Sequence, residues 1–225
     1  MKKILAGILA CCLVTTLAAC SNTDSPKKDD VNTAANVTTD LPNNDTDVSE
    51  SEPERKTLVG IPGSNALDIR LGLEQSGGIP KGEVKDAAEI SSNSKFCASS
   101  MEVPGVGVNL AYNLSLDEDE AITTAVFSIT SYQVSSNEDI LDFAKSFFSF
   151  CASMPYDTAD VSSVQEWVSQ NVSDYANSPQ TTIGDAKFSI AGIVNDDSGR
   201  LIDLTLTIKP ANFDEQMQSI MSEKQ

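Results

Sequence analysis

Residues 106–116 alternate with a period of two. Val106, Val108, Leu110, Tyr112, Leu114 and Leu116 are interleaved with Gly107, Asn109, Ala111, Asn113 and Ser115, so one side of an extended chain is apolar and the other small and polar. A helix would scatter the same residues around its circumference. The pattern therefore asks for a sheet, and a sheet with one apolar face needs a second layer to cover it.

Neighbouring strands are at hand. Asp117, Glu118, Asp119 and Glu120 make a turn, and 121–134, rich in Ile, Thr, Val, Phe and Tyr, is expected to return as an antiparallel neighbour. A third strand is expected at 95–102. Further along, Ala186, Phe188, Ile190 and Gly192 alternate, as do Ile202, Leu204, Leu206 and Ile208. The loop between these two runs, Asn195-Asp196-Asp197-Ser198-Gly199, ends on a glycine suited to positive φ.

The covering layer is helical. Asn137 is expected to cap a helix whose first turn carries Glu138 and Asp139, as the helix dipole favours. At 100° per residue, Ile140, Leu141, Phe143, Ala144, Phe147, Phe148, Phe150, Cys151 and Met154 fill about half the circumference. Pro155 ends this helix, and Asp160 is expected to cap another with Val161, Val164, Val168 and Val172 in one stripe. Pro210 and Asn212 introduce a short terminal helix with Phe213, Met217, Ile220 and Met221 on one side. In 64–74 the residues Leu67, Ile69, Leu71 and Leu73 alternate, yet the same stretch also fits a first helix. The expected domain, 58–225, is α+β: an antiparallel sheet of about five strands with helices packed mainly on one face.

The amino terminus carries a different signal. Lys2 and Lys3 precede an uncharged, mostly apolar run to Ala19, the layout of a secretory signal peptide over 1–19 and too short for a transmembrane helix, which needs roughly 20 apolar residues. The run closes on Leu17-Ala18-Ala19-Cys20, which resembles the lipobox of bacterial lipoproteins. That resemblance implies cleavage before Cys20, a diacylglycerol on its sulfur, and fatty acylation of the new amino terminus. It places the protein on a bacterial cell membrane, facing away from the cytoplasm, with a membrane as its first partner through that lipid. Ser21 rather than aspartate follows, so the usual cue for inner-membrane retention in a double-membraned cell is absent.

Residues 20–57 are dominated by Asp, Asn, Thr, Ser, Pro and Glu. Such a segment buries too little apolar surface to offset its ordering entropy, so a disordered tether is expected between lipid and domain. The remaining segment 58–225 carries 24 acidic and nine basic residues, a net charge of −15 within a chain total of −18. This balance excludes a protein that tracks nucleic-acid phosphates, which needs a basic face.

Catalytic motifs are scarce. Zero histidines remove every Ser-His, Cys-His and His-ligated zinc arrangement. Gly60-Ile61-Pro62-Gly63-Ser64 lacks the lysine and spacing of a P-loop, and no Gly-x-Ser-x-Gly elbow occurs. Carboxylates are numerous enough for a two-acid glycan hydrolase, but that chemistry usually sits in an aromatic-lined cleft and the chain has one tryptophan, Trp167. Trp167 stands off the valine stripe of its helix, where core-edge packing is the expected role. Asp117, Glu118, Asp119 and Glu120 supply hard oxygens for calcium, or else form a plain solvated hairpin tip. No cofactor is expected and no metal site is assigned.

Once Cys11 and Cys12 leave with the signal and Cys20 is acylated, Cys97 and Cys151 remain. A disulfide between them and a pair of buried thiols are both open readings. The stretch from Met154-Pro155-Tyr156-Asp157 through Trp167-Val168 to Thr182-Ile183-Gly184-Asp185-Ala186-Lys187-Phe188 is similar to uncharacterised lipoproteins of Gram-positive bacteria, a resemblance that implies no activity. The expected function is a non-catalytic binding or interaction module with an envelope or extracellular partner. The rivals are a carboxylate-based glycan hydrolase and a structural or assembly factor of an envelope complex.

Overall fold

A computed structural model describes residues 56–88, 91–132, 136–195 and 197–222. The chain divides into two units, Met1–Arg55 and Lys56–Gln225, so Lys56 and Thr57, read from the sequence as tether, already belong to the second. The signal peptide, Cys20 and residues 21–55 lie outside the described residues.

In chain order the second unit contains α1 (Ala66–Gly72), prolonged by a π-turn over Leu73–Gly77, then β1 (Lys85–Asp86), β2 (Lys95–Val103), β3 (Val108–Leu116) and β4 (Ile122–Ser131). There follow α2 (Asn137–Ala152), α3 (Val161–Asn171) with a 3-10 turn at Val172–Asn177, β5 (Gln180–Ile183), β6 (Ala186–Asn195), β7 (Arg200–Pro210) and α4 (Phe213–Ser222). The strands form one sheet in the order β1-β2-β3-β4-β7-β6-β5, with every neighbouring pair antiparallel.

The sheet has seven strands rather than about five. The two additions are the edges. β1 is a two-residue pairing whose residues are both exposed, and β5 alternates only between exposed and half-buried positions. Neither leaves an apolar period in the sequence.

Register places Val108, Leu110, Tyr112, Leu114 and Leu116 on one side with Ala125, Phe127, Ile129, Leu204, Leu206, Ile208, Phe188 and Ile190, all buried. Helix α2 lies on this side against β4 and β7, and the 3-10 turn lies against β6. Ile140, Ala144, Phe147, Phe148 and Cys151 of α2 are buried, as are Val164, Val168 and Val172 from α3 onward. Burying one such aromatic side chain contributes about 1.5–3 kcal/mol. Trp167 packs against Phe188 with ring centroids 6.2 Å apart, at the edge of this core.

Several local expectations need correction. Val161 of the α3 stripe and Met221 of the α4 stripe are exposed, 42% and 60%. The cap of α2 is Ser136, whose Oγ accepts from Asp139 N at 3.1 Å. Asn137 is instead the first helical residue, and its amide donates to Gly199 O at 2.9 Å and accepts from Leu201 N at 2.8 Å, fastening α2 to the β6–β7 hairpin. Phe150 is 39% exposed rather than part of the buried arc. In β7 a register shift opposite Ile193/Val194 turns Leu201 inward, fully buried, and leaves Ile202 half-buried. Gly199 does adopt positive φ, +61°, in that hairpin.

Residues 64–74 resolve as α1, because Asn65 Oδ1 accepts from Leu67 N at 2.7 Å and caps a helix. Asp160 caps α3 as expected, its Oδ1 accepting from Ser163 N at 3.0 Å.

Candidate functional site

The strand alternation that builds the core leaves its complement on the opposite side of the sheet. Across β2, β3, β4, β7 and β6 one row reads Ser100, Ala111, Ser128, Thr205, Ala191, and the next Ala98, Asn113, Val126, Thr207, Ser189. None of these ten side chains is charged, in a domain with a net charge of −15. Ala98, Ser100, Asn113 and Ala191 are exposed and the remainder half-buried. A shallow depression of about 450 Å³ lies over β2, β3 and β4, lined by Ala98, Ser100, Ala111, Asn113, Val126 and Ser128 among others.

Charge appears only toward the two ends of this face. At one end stand Glu102 and Asp203, and at the other Lys187, Lys209 and, on the edge strand β1, Lys85. Asp203 Oδ1 accepts from Thr130 Oγ1 at 2.9 Å. Lys187 Nζ pairs with Asp214 Oδ2 at 3.0 Å, whereas Lys209 Nζ lies 4.2 Å from the centroid of the Phe213 ring.

A second concavity, a groove of about 530 Å³, lies between the first described residues and α4, with Val59, Pro62, Asp185, Asn212 and Gln216 among its walls. Asp185 is its one carboxylate. The depression on the sheet has none. A two-acid hydrolase needs two carboxyl groups about 5–10 Å apart across the same cleft, and neither concavity supplies the pair.

The sequence-predicted acids Asp117, Glu118, Asp119 and Glu120 occupy the β3–β4 turn, where the Asp117 and Glu120 carboxylates and the Glu118 backbone carbonyl have structural employment. Asp117 Oδ1 accepts from Asp119 N at 3.0 Å and Ala121 N at 2.9 Å, while Oδ2 accepts from Gly60 N at 2.8 Å. Lys95 Nζ donates to Glu118 O at 2.8 Å and pairs with Glu120 at 3.5 Å. Among the described residues no group of three His, Cys, Asp or Glu side chains is placed to hold a metal ion.

The tip is therefore a latch for the segment leading into α1. Gly60 belongs there because a Cβ would come within 2.6 Å of Ala121, so only glycine permits this approach. The stretch read against the P-loop pattern thus runs beside a carboxylate. Ser64 completes the latch, donating through Oγ to Ile61 O at 2.7 Å and accepting from Ile122 N at 2.9 Å.

Cys97 and Cys151 are free and buried, so the bridge that the sequence left open is not formed. Cys97 sits on β2 with its Sγ 3.9 Å from Tyr112 Oη. Tyr112 Oη also accepts from Gly82 N at 2.8 Å, and Arg70 Nη2 donates to Gly82 O. Cys151 lies on α2, which rests on β4 and β7, and β3 separates β2 from β4. One intervening strand puts β2 about 10 Å to the side of β4, which explains the failure to pair. Burial pushes the Cys151 thiol well above its ordinary value, and burial likewise raises the Tyr112 phenol.

Compared with protein-family models, curated proteins and solved structures, the chain has no match. No helix among the described residues is long and apolar enough to cross a membrane. The open face escaped the sequence reading because polar residues alternating with core residues resemble any solvated face; the signal that marks it is the lack of charge on an acidic chain.

Proposed function

We propose that the protein is a bacterial surface lipoprotein, anchored by a lipid on Cys20 and tethered through residues 21–55, whose domain is a non-catalytic interaction module. The observation that carries the module reading is the uncovered sheet face. Its two central rows hold ten uncharged, mostly small side chains while the opposite face is packed under α2 and α3. Flat, uncharged and rich in hydroxyls, such a surface can be desolvated without stripping water from ions and offers donors and acceptors across a broad contact. A solvating surface on this chain would be expected to carry part of its acidic excess. The anchor rests on Leu17-Ala18-Ala19-Cys20 and on the dual-chain attachment that such a modification supplies.

Photo-crosslinking of the full-length protein in its own membrane tests the module reading. A photoreactive residue replacing Thr205, on the open face, is expected to give a discrete covalent adduct. The same residue at Ser162, exposed on α3, is expected to give none. Adducts from Ser162 alone, or from neither position, would overturn the assignment of the open face as the interaction surface.

A further inference from the structure

We infer that the open face takes a second copy of this chain, stacked sheet on sheet about a two-fold axis that crosses the strands between Thr205 and Thr207. The inference rests on the open face being the interaction surface and names its partner.

The argument begins with the charges at the two ends of β7. Asp203 and Lys209 lie on the same side of one strand, six positions and therefore about 20 Å apart. Neither has an opposite charge within ion-pairing reach among the described residues: Asp203 is held by the Thr130 hydroxyl, and Lys209 lies over Phe213. A two-fold axis in the plane of the face, perpendicular to the strands, keeps β7 over β7 and reverses its direction. Asp203 of each copy then stands opposite Lys209 of the other, and the symmetry makes both contacts at once. An axis parallel to the strands would instead leave each charged row facing itself.

Between the charged ends the stacked rows are Ser100, Ala111, Ser128 and Thr205 against Ala98, Asn113, Val126 and Thr207. Small side chains let the sheets approach closely, and facing hydroxyls exchange hydrogen bonds across the contact. The same arrangement joins a highly acidic domain to its own copy through a face that carries Glu102 and Asp203 at one end against Lys85, Lys187 and Lys209 at the other, with Lys187 already paired to Asp214.

The footprint is about 20 Å along the strands by about 20 Å across five of them, which is smaller than a standard interface. Free copies in dilute solution should therefore associate only transiently. Confinement of both copies to one membrane raises their effective concentration and makes such a contact sufficient.

A charge-swap series in the membrane-bound full-length protein decides the matter, using the photoreactive residue at Thr205. The expected adduct has twice the mass of the chain. Asp203→Lys and Lys209→Glu each place like charges opposite one another twice and should lower the dimer yield about tenfold, on the scale of two exposed ion pairs lost and two repulsions gained. The double variant restores both attractions and should recover the yield. A Thr205 adduct of any other mass would overturn the second copy while leaving the open face as an interaction surface. No adduct at all would overturn both. A dimer whose yield ignores the single swaps, or is not rescued by the double, would overturn the stated axis.

Discussion

Gln216 and Val59 hold each other through two hydrogen bonds: Val59 N donates to Gln216 Oε1 at 2.8 Å, and Gln216 Nε2 donates to Val59 O at 3.2 Å. The side-chain amide of α4 acts as one residue of a neighbouring strand. It ties the beginning of the folded unit to its last helix across 157 residues of sequence. Val59 is 65% exposed, so its side chain adds little and the backbone pairing does the holding.

Gln216→Ala should therefore free this segment. The expected loss is about 1 kcal/mol, the net worth of exposed hydrogen bonds, read as a lowered urea midpoint. Limited proteolysis should gain a cut near Val59. An unchanged digestion pattern would show that the latch formed by Asp117 and Ser64 suffices alone.

Asp160 gives a pH-dependent effect. Its carboxyl is held below the ordinary value of 3.8, chiefly because it accepts the Ser163 backbone N–H and then the Ser163 hydroxyl. The folded state thus prefers the ionised form. The stability it contributes is present above the ordinary aspartate range and is lost as pH falls through the lowered folded value. Asp160→Ala should melt below the wild type at pH 7, and the gap should narrow progressively below about pH 4. Thermal scans across that range check it, and a gap of constant size would sink the explanation.

The two thiols of the domain should be inert while it is folded. Cys97 is fully buried and Cys151 nearly so, with the Cys151 thiol also held protonated by burial. Ellman's reagent up to about pH 9 should label neither, and both should react after denaturation. Mass spectrometry of the unreduced protein should find two thiols and no bridge. Rapid native labelling of either would contradict the packing around Tyr112 or under α2.

On the proposed anchor, Cys20→Ala should abolish uptake of labelled palmitate and release the protein from membranes on fractionation. Retention of label at the amino terminus of the variant would refute the lipobox reading.

The legible parts of the fold are those where one residue period speaks for burial. Val108 to Leu116 declared their face because every second side chain enters the core, and α3 was evident from Asp160 and its valines. The edge strands were silent because pairing of backbone to backbone needs no side-chain pattern: Lys85 and Asp86 pair with Phe96 and Lys95 using residues that any loop could carry. Asn137 was misassigned because Ser136 and Asn137 are both competent caps, and the choice depends on a hairpin more than 60 residues away that claims the asparagine. The Asx turn at Asp117 is local chemistry and visible in principle. Its grip on Gly60, across 57 residues, is not.

The strand order has a kinetic consequence. Hairpins β2–β3–β4 and β6–β7 can each form from nearby chain, but the seam that unites them, β4 with β7, joins residues such as Thr130 and Asp203 that are 73 positions apart. Loop closure across that distance must precede the reward of pairing, so the seam should form late and govern the folding rate. Until it closes, the edges of β4 and β7 stand unpaired in the middle of the future sheet. On the proposed route of export, that interval falls after release from the translocation machinery, when the chain already hangs from its lipid among identical copies. The rate of closing the β4–β7 seam then sets how long each new molecule is exposed to cross-pairing with its neighbours.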